Sequence, residues 1–269
     1  MTRVVVHAGF HKTGTSTVQH ALAQNRDALA PHLRIHLRED FDPLTASARS
    51  WSVTRSDKHF AAIGRNALRF FRSIGREDTR PVLMSSEDLC GHMPGRNGIA
   101  AYDAAPDILR VIADNARHWF GPALDLVIYF STRAPDPWLR STWWQNLRST
   151  RLTKDLDPYA DDLPRAADLS AVADAVRAAV TAQVVTTPLE DSAARPEGPL
   201  APLLDLTDVP ADVRAALGIP PPVNAQPDLG MAEVLLALNR SGLDDEALSD
   251  AKRTIRRLAV KRSNLPPHA

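Results

Sequence analysis

Gly9 and Gly14 bracket Phe10, His11, Lys12 and Thr13, and Thr15 and Ser16 follow directly. A turn of this kind, set between a strand and the first turn of a helix, aims several backbone N–H groups at one point. The helix dipole adds partial positive charge there, and the product is a cradle for phosphate. A second anion-binding pair lies far along the chain. Arg133 stands at the end of an apolar run and Ser141 follows eight residues later. Pro135 breaks the run, Asp136 suits a helix N-cap and Pro137 suits the first helical position, so Ser141 falls on a helix. A guanidinium grips a phosphate bidentately and a nearby hydroxyl adds a hydrogen bond, which makes Arg133 and Ser141 a compact clamp. Glu87 and Asp88 come just after the apolar run at residues 81–86. In open parallel sheets ligands gather outside the carboxyl ends of strands, which is also where the Lys12 turn must lie.

The spacing Gly9-x4-Gly14 is that of a nucleotide-binding P-loop, but that pattern places Lys and Ser/Thr immediately after the second glycine. Here Thr15 and Ser16 take those places and the lysine comes two residues before Gly14. Lys12 therefore projects from the loop, beside the far end of a 5′-phosphate instead of against a β/γ pair. Of 32 basic residues only five are lysines, which sets the one in the loop apart. The run Lys12-Thr13-Gly14-Thr15-Ser16 resembles the 5′-phosphosulfate loop of sulfotransferases that use 3′-phosphoadenosine 5′-phosphosulfate (PAPS). In that family an arginine at a strand end and a serine eight residues on bind the donor's 3′-phosphate, and Arg133 and Ser141 match that spacing.

The resemblance covers both motifs and the strand order to about Gln145, and it weakens beyond. The Arg-Lys-Gly segment that soluble animal members carry near the C-terminus is missing, and Arg256, Arg257, Lys261 and Arg262 read as the wet side of a last helix. It implies PAPS as cosubstrate, no metal, and transfer of a sulfuryl group to the hydroxyl or amine of a carbohydrate or small metabolite. It further implies donor contacts from His11, Lys12, Thr13, Gly14, Thr15, Ser16, Arg133 and Ser141, with Lys12 stabilising charge on the leaving group. Family members use a histidine or a glutamate as base. Glu87 is the choice here, with His7 and His11 in reserve and His92 behind them. Two other classes fit the same cradle. One is a P-loop kinase-like phosphotransferase using ATP, which lacks its usual lysine and has only Asp88 as a magnesium carboxylate. The other is a nucleotide-binding module without catalysis.

The elements that must position these residues follow from hydrophobic periodicity. Residues 4–6, 81–86 and 124–130 are apolar runs that read as buried strands, and residues 184–187 as a further one. Residues 33–37 alternate apolar and polar, as a half-wet edge strand does. Residues after Thr15 carry Val18, Leu22 and Leu29 on one helical side, and residues 58–74 carry Phe60, Ile63, Ala67 and Phe71. Further helices are expected at 108–119, 165–182, around 231–238 and around 248–258. Residues 43–57 read as a polar loop or lid containing Trp51, residues 89–98 as a loop bordering the acceptor, and 188–222 as a proline-rich segment. Alternating helices and apolar strands predict a three-layer α/β/α domain with a central parallel sheet, P-loop nucleotide-kinase-like in kind. With no repeat and no linker, residues 1–269 are expected to form one domain.

Composition narrows the class. Thirty-two acidic side chains balance 32 basic ones, so no net charge draws the chain to nucleic acid or to a membrane, and local clusters must carry any anion binding. Cys90 is the single cysteine and reads as a small buried residue. The first strand begins too close to Met1 for a secretory signal, and no stretch approaches eighteen apolar residues, so the expectation is a cytoplasmic protein. Richness in Ala, Arg and Asp is compatible with a high-GC bacterium. His32 and His36 fall on the wet edge without a third ligand, and Trp51, Trp143 and Trp144 are expected as core or interface residues sooner than as stacking platforms.

Overall fold

Strands buried on both faces need apolar residues without alternation. In the computed structural model, which describes residues 2–220 and 230–263 with side chains up to Leu258, the three apolar runs lie side by side at the centre of one sheet. Strands β1 (Arg3–His7), β2 (Arg34–Leu37), β3 (Val82–Ser85), β4 (Asp125–Thr132) and β5 (Gln183–Pro188) take the order β2-β3-β1-β4-β5, and every pair is parallel. β2 is an edge strand in which half-buried and buried residues alternate, as the sequence predicts.

The two-residue period of the strands divides the core into two layers. Val4, Val6, Val82, Met84, Leu126, Ile128 and Phe130 face one side. There they pack against α3 (Asp42–Thr54), α4 (Asp57–Ser73), α5 (Ala105–Phe120) and α8 (Leu169–Ala179), through residues such as Ile63, Phe71, Ile108, Ile112 and Val176. Val5, Leu83, Val127 and Tyr129 face the other side, against α1 (Thr15–Gln24), α2 (Arg26–Leu29) and α10 (Ala201–Leu206). The result is the three-layer α/β/α arrangement expected. Between and beyond these lie α6 (Pro135–Ser149), α7 (Leu156–Asp161), α9 (Leu189–Ala193), α11 (Ala211–Ala215), α12 (Met231–Arg240) and α13 (Asp245–Ser263). No described helix is long and apolar enough to cross a membrane.

Several local expectations are corrected. Residues 43–57 form no lid, because α3 covers most of them. Its hydroxyls bond backward along the helix, Ser47 to the Pro43 carbonyl (2.7 Å) and Ser52 to that of Arg49 (2.7 Å), so a polar composition is satisfied without leaving the helix. Trp51 is buried against Phe60, with ring centroids 4.9 Å apart. The helix after Thr15 stops at Asn25, whose side chain donates to the carbonyls of Ala21 and Gly218 (2.8 Å each), so Leu29 sits on a separate short helix. α6 starts at Pro135, two residues earlier than expected, with Ala134 and not Asp136 at the N-cap; the fixed φ of Pro135 suits the first position. α8 starts at Leu169, capped by Asp168, which accepts from the Ala171 N–H at 2.9 Å. Residues 188–220 hold three short helices, with Leu203 and Leu204 of α10 buried. Val234 and Leu258 are exposed and not part of a buried stripe. Pro221 and Pro222, and the side chains of Lys261 and Arg262, lie outside the described residues.

Candidate functional site

β1 is flanked by β3 on one side and β4 on the other, so the connections after these strands diverge and leave a crevice at their carboxyl ends. The crevice is a cavity of about 630 Å³, within the range of about 300–1,000 Å³ usual for small-molecule sites. His11, Lys12, Gly14, Thr15 and Ser16 line it from the β1 connection, Glu87 from the β3 connection, and Arg133 and Ser141 from the end of β4 and from α6. The two distant motifs therefore open onto one space. They are also joined directly: Arg133 Nη1 donates to the Lys12 carbonyl at 3.0 Å.

The loop that carries Lys12 is held in shape from behind. Lys12 takes φ 70° and Gly14 φ 91°, both left-handed, and the second is routine only for glycine. The Thr13 and Thr15 hydroxyls both donate to the Phe10 carbonyl, at 2.7 and 3.4 Å. Thr13 is fully buried by this contact and does not line the cavity, so only its backbone remains to meet a ligand. Trp138 of α6 donates its indole N–H to the His11 carbonyl at 2.9 Å. The backbone N–H groups of Gly14 to Ser16 have no acceptor among the described residues, which leaves a nest of donors at the start of α1.

Gly9 lies under the loop, where a Cβ would stand 2.3 Å from Thr15 Oγ1 and 2.9 Å from His7 Nε2. Gly9→Ala is expected to displace the Thr15 hydroxyl and destabilise the fold by about 1–3 kcal/mol. Chemical denaturation measures this, and an unchanged midpoint would show that the loop yields freely.

The histidines separate. His7 is completely buried on β1, with Nδ1 2.8 Å from Ser85 Oγ and no partner for Nε2 among the described residues; burial pushes its pKa down to about 3 and keeps it neutral. It faces the underside of the loop and not the cavity. His11 does line the cavity, but its ring is occupied. The Tyr102 hydroxyl accepts from the His11 backbone N–H at 3.1 Å and stands 3.1 Å from Nδ1, while Nε2 is 3.7 Å from Asp88 Oδ1. His92 is placed off the cavity, its backbone N–H on Ser52 Oγ.

The two carboxylates after β3 point in different directions because they open a 3-10 turn, Glu87–Cys90, which Ser86 caps by accepting from the Asp88 N–H. Glu87 faces the cavity, and Gln19 Nε2 donates to its Oε2 at 3.2 Å. Asp88 is buried beside Arg38 (3.3 Å), Arg49 (3.5 Å) and His11. Burial raises its pKa, but His11 and the two arginines outweigh that and hold it below the ordinary value. Cys90 is buried as expected, its thiol donating to the Ala8 carbonyl. Among the tryptophans, Trp144 packs into a small core with Leu147 and Leu235.

Lys12 is pressed toward neutrality. Burial first, then Arg148, Arg133 and Arg96, lower its pKa to about 8, against a small opposing pull from Glu87. Arg96 and Arg148 escape the motif reading, as do Gln145 and Arg195. Arg148 was nevertheless within reach of the sequence: Ser141, Gln145 and Arg148 recur at helical spacing and share one face of α6, all three lining the cavity. Arg96 lies in the loop after β3 and has no local signal. Apolar side chains of Leu189, Pro196, Pro199, Ile219 and Pro220 also line the cavity, with Leu189 and Pro199 against Gly14 of the loop. Among the described residues Glu87 is the cavity's one carboxylate, facing five cations. Such a lining is suited to anions, with apolar side chains beside the cations.

No protein-family model matches the chain, and a search of curated proteins finds no relative.

Proposed function

We propose that this protein transfers a sulfuryl group from PAPS to the hydroxyl or amine of an acceptor. The observation that carries the reading is the shared cavity: the Lys12 loop and the Arg133–Ser141 pair, 121 residues apart at their nearest contact, line one space and touch through the Lys12 carbonyl. The donor set suits a nucleotide with anions at both ends. Free N–H groups of the loop and the Lys12 ammonium suit the 5′-phosphosulfate, Arg133 and Ser141 suit the 3′-phosphate, and the apolar side chains of Leu189, Pro199 and Ile219 suit the purine.

The donor, when bound, supplies a sulfuryl group on an anhydride whose bridging oxygen gains charge as the bond breaks. Lys12 meets that charge, in a site where burial strengthens the interaction. Glu87 accepts the acceptor's proton, and Gln19 fixes the orientation of the carboxylate. His11 holds the loop to Tyr102 and takes no part in proton transfer. Asp88, the carboxylate a magnesium-nucleotide site would draw on, is committed to Arg38 and Arg49.

Calorimetry with 3′-phosphoadenosine 5′-phosphate (PAP) against ATP with Mg²⁺ tests the reading. Tight binding of PAP and weak binding of ATP is the expected result, and the reverse preference would favour a phosphotransferase. Transfer of labelled sulfate from PAPS to added acceptors separates an enzyme from a binding module. The pH dependence is a further check. An anion binds the protonated lysine, and with a pKa of about 8 the free protein loses that proton as pH rises. Affinity for PAP should fall about threefold between pH 7 and pH 9, the modest share the lysine adds to the backbone donors, with proton uptake on binding at the higher pH. Lys12→Met should flatten the profile.

A further inference from the structure

Resting on that reading of the cavity, we propose that the acceptor carries an anionic group of its own, a carboxylate or sulfate, which Arg96 and Arg148 bind while Glu87 engages the hydroxyl.

The donor's anions already have partners in the Lys12 loop and in the Arg133–Ser141 pair, and these two arginines reach the same cavity from the last turns of α6 and from the connection after β3. Arg148 is seven residues beyond Ser141 on the same face of α6, about 10 Å along the helix axis. A phosphate held by Ser141 is therefore two turns away. Arg96 belongs to the connection after β3, the same connection that supplies Glu87, so it stands on the side where an acceptor must approach the base.

Both guanidiniums are half-buried and lack a carboxylate partner among the described residues. Arg96 is fixed in place by α6: its Nε donates to Asn146 Oδ1 at 2.5 Å, and Nη2 reaches Ser149 Oγ. Arg148 makes no hydrogen bond or ion pair among the described residues, and its Nε is buried without an acceptor. Both arginines repel Lys12, and Arg96 repels Arg148, so the empty site holds positive charge that nothing in its lining but Glu87 offsets. An anion placed between them relieves that repulsion, whereas a neutral acceptor leaves it in full. Arg148 also lines a second cavity of about 420 Å³ with Lys252, Arg253 and Arg256 of α13, so positive charge continues outward from the site. Lys252 itself is satisfied by the carbonyls of Leu147 and Thr150, Arg253 pairs with Asp250 and Arg151 with Asp245, which leaves Arg148 and Arg256 as the unpaired charges along this path among the described residues.

The test uses the full chain saturated with PAP, titrated with three matched disaccharides: one bearing a uronate carboxylate, one bearing a sulfate, and a neutral one. At least one charged disaccharide should bind ten times or more tighter than the neutral one, and the two charged probes identify which anion is preferred. Arg148→Ala and Arg96→Lys should each weaken the charged disaccharide at least tenfold while changing the Kd of PAP by less than twofold. Equal binding of charged and neutral probes, or no binding of either charged probe to the PAP-loaded protein, overturns the proposal. Loss of PAP affinity in Arg148→Ala also overturns it, by giving this arginine to the donor. Failure of the wild-type chain to bind PAP is a separate result that removes the donor reading beneath it.

Discussion

Lys12→Ala is expected to lower the turnover number by about 100- to 1,000-fold, the range found when a single charge-stabilising donor is removed from a transition state. Its effect on PAP affinity at neutral pH should be much smaller, because the loop N–H groups that hold the 5′-phosphate belong to the backbone and remain. Arg133→Ala should divide the other way, weakening PAP by about 30- to 100-fold, the equivalent of one strong charged contact, with a lesser change in the rate of bound donor. Steady-state kinetics with calorimetry on the same two proteins makes the comparison. Equal losses in both quantities for both variants would deny them separate roles. Folding is not the cause in the first case, since removing an ammonium that burial and three arginines repel should leave the melting temperature unchanged or higher.

The second large effect belongs to Glu87. Glu87→Gln keeps the shape of the side chain and an oxygen for Gln19 to donate to, so donor binding should stay within twofold. Without a base the turnover should fall about 100- to 10,000-fold. A variant with wild-type turnover would remove Glu87 from the chemistry, and His11 would not inherit the role easily, because both of its ring nitrogens face protein partners.

Much of this molecule is written in short-range patterns. The three central strands are legible because burial on both faces leaves no polar alternation, and the edge strand β2 because one of its faces is wet. The Lys12 loop and the Arg133 strand end are legible because each is a contiguous strand–turn–helix unit. α3 is not legible in the sequence because its buried stripe is Leu44, Ala48 and Trp51 among serines and threonines, a pattern too small-sided to outweigh the polar average. Trp138, Tyr102 and Gln19, which brace the His11 loop and Glu87, act across 127, 91 and 68 residues, and no local rule pairs them. Arg96 is illegible for a related reason: an arginine without a carboxylate partner in a cavity reads in the sequence like any solvated one, whereas the helical spacing of Ser141, Gln145 and Arg148 does mark Arg148.

The most direct measurement is a two-by-two comparison of PAP with adenosine 5′-monophosphate, each titrated into the wild-type protein and into Arg133→Ala. If one cavity grips both ends of the nucleotide, the wild-type protein prefers PAP by about 30-fold or more, and the preference collapses in the variant, since the 3′-phosphate and its arginine are lost together. A preference that survives in Arg133→Ala unchanged, or that the wild-type protein never shows, would contradict the account.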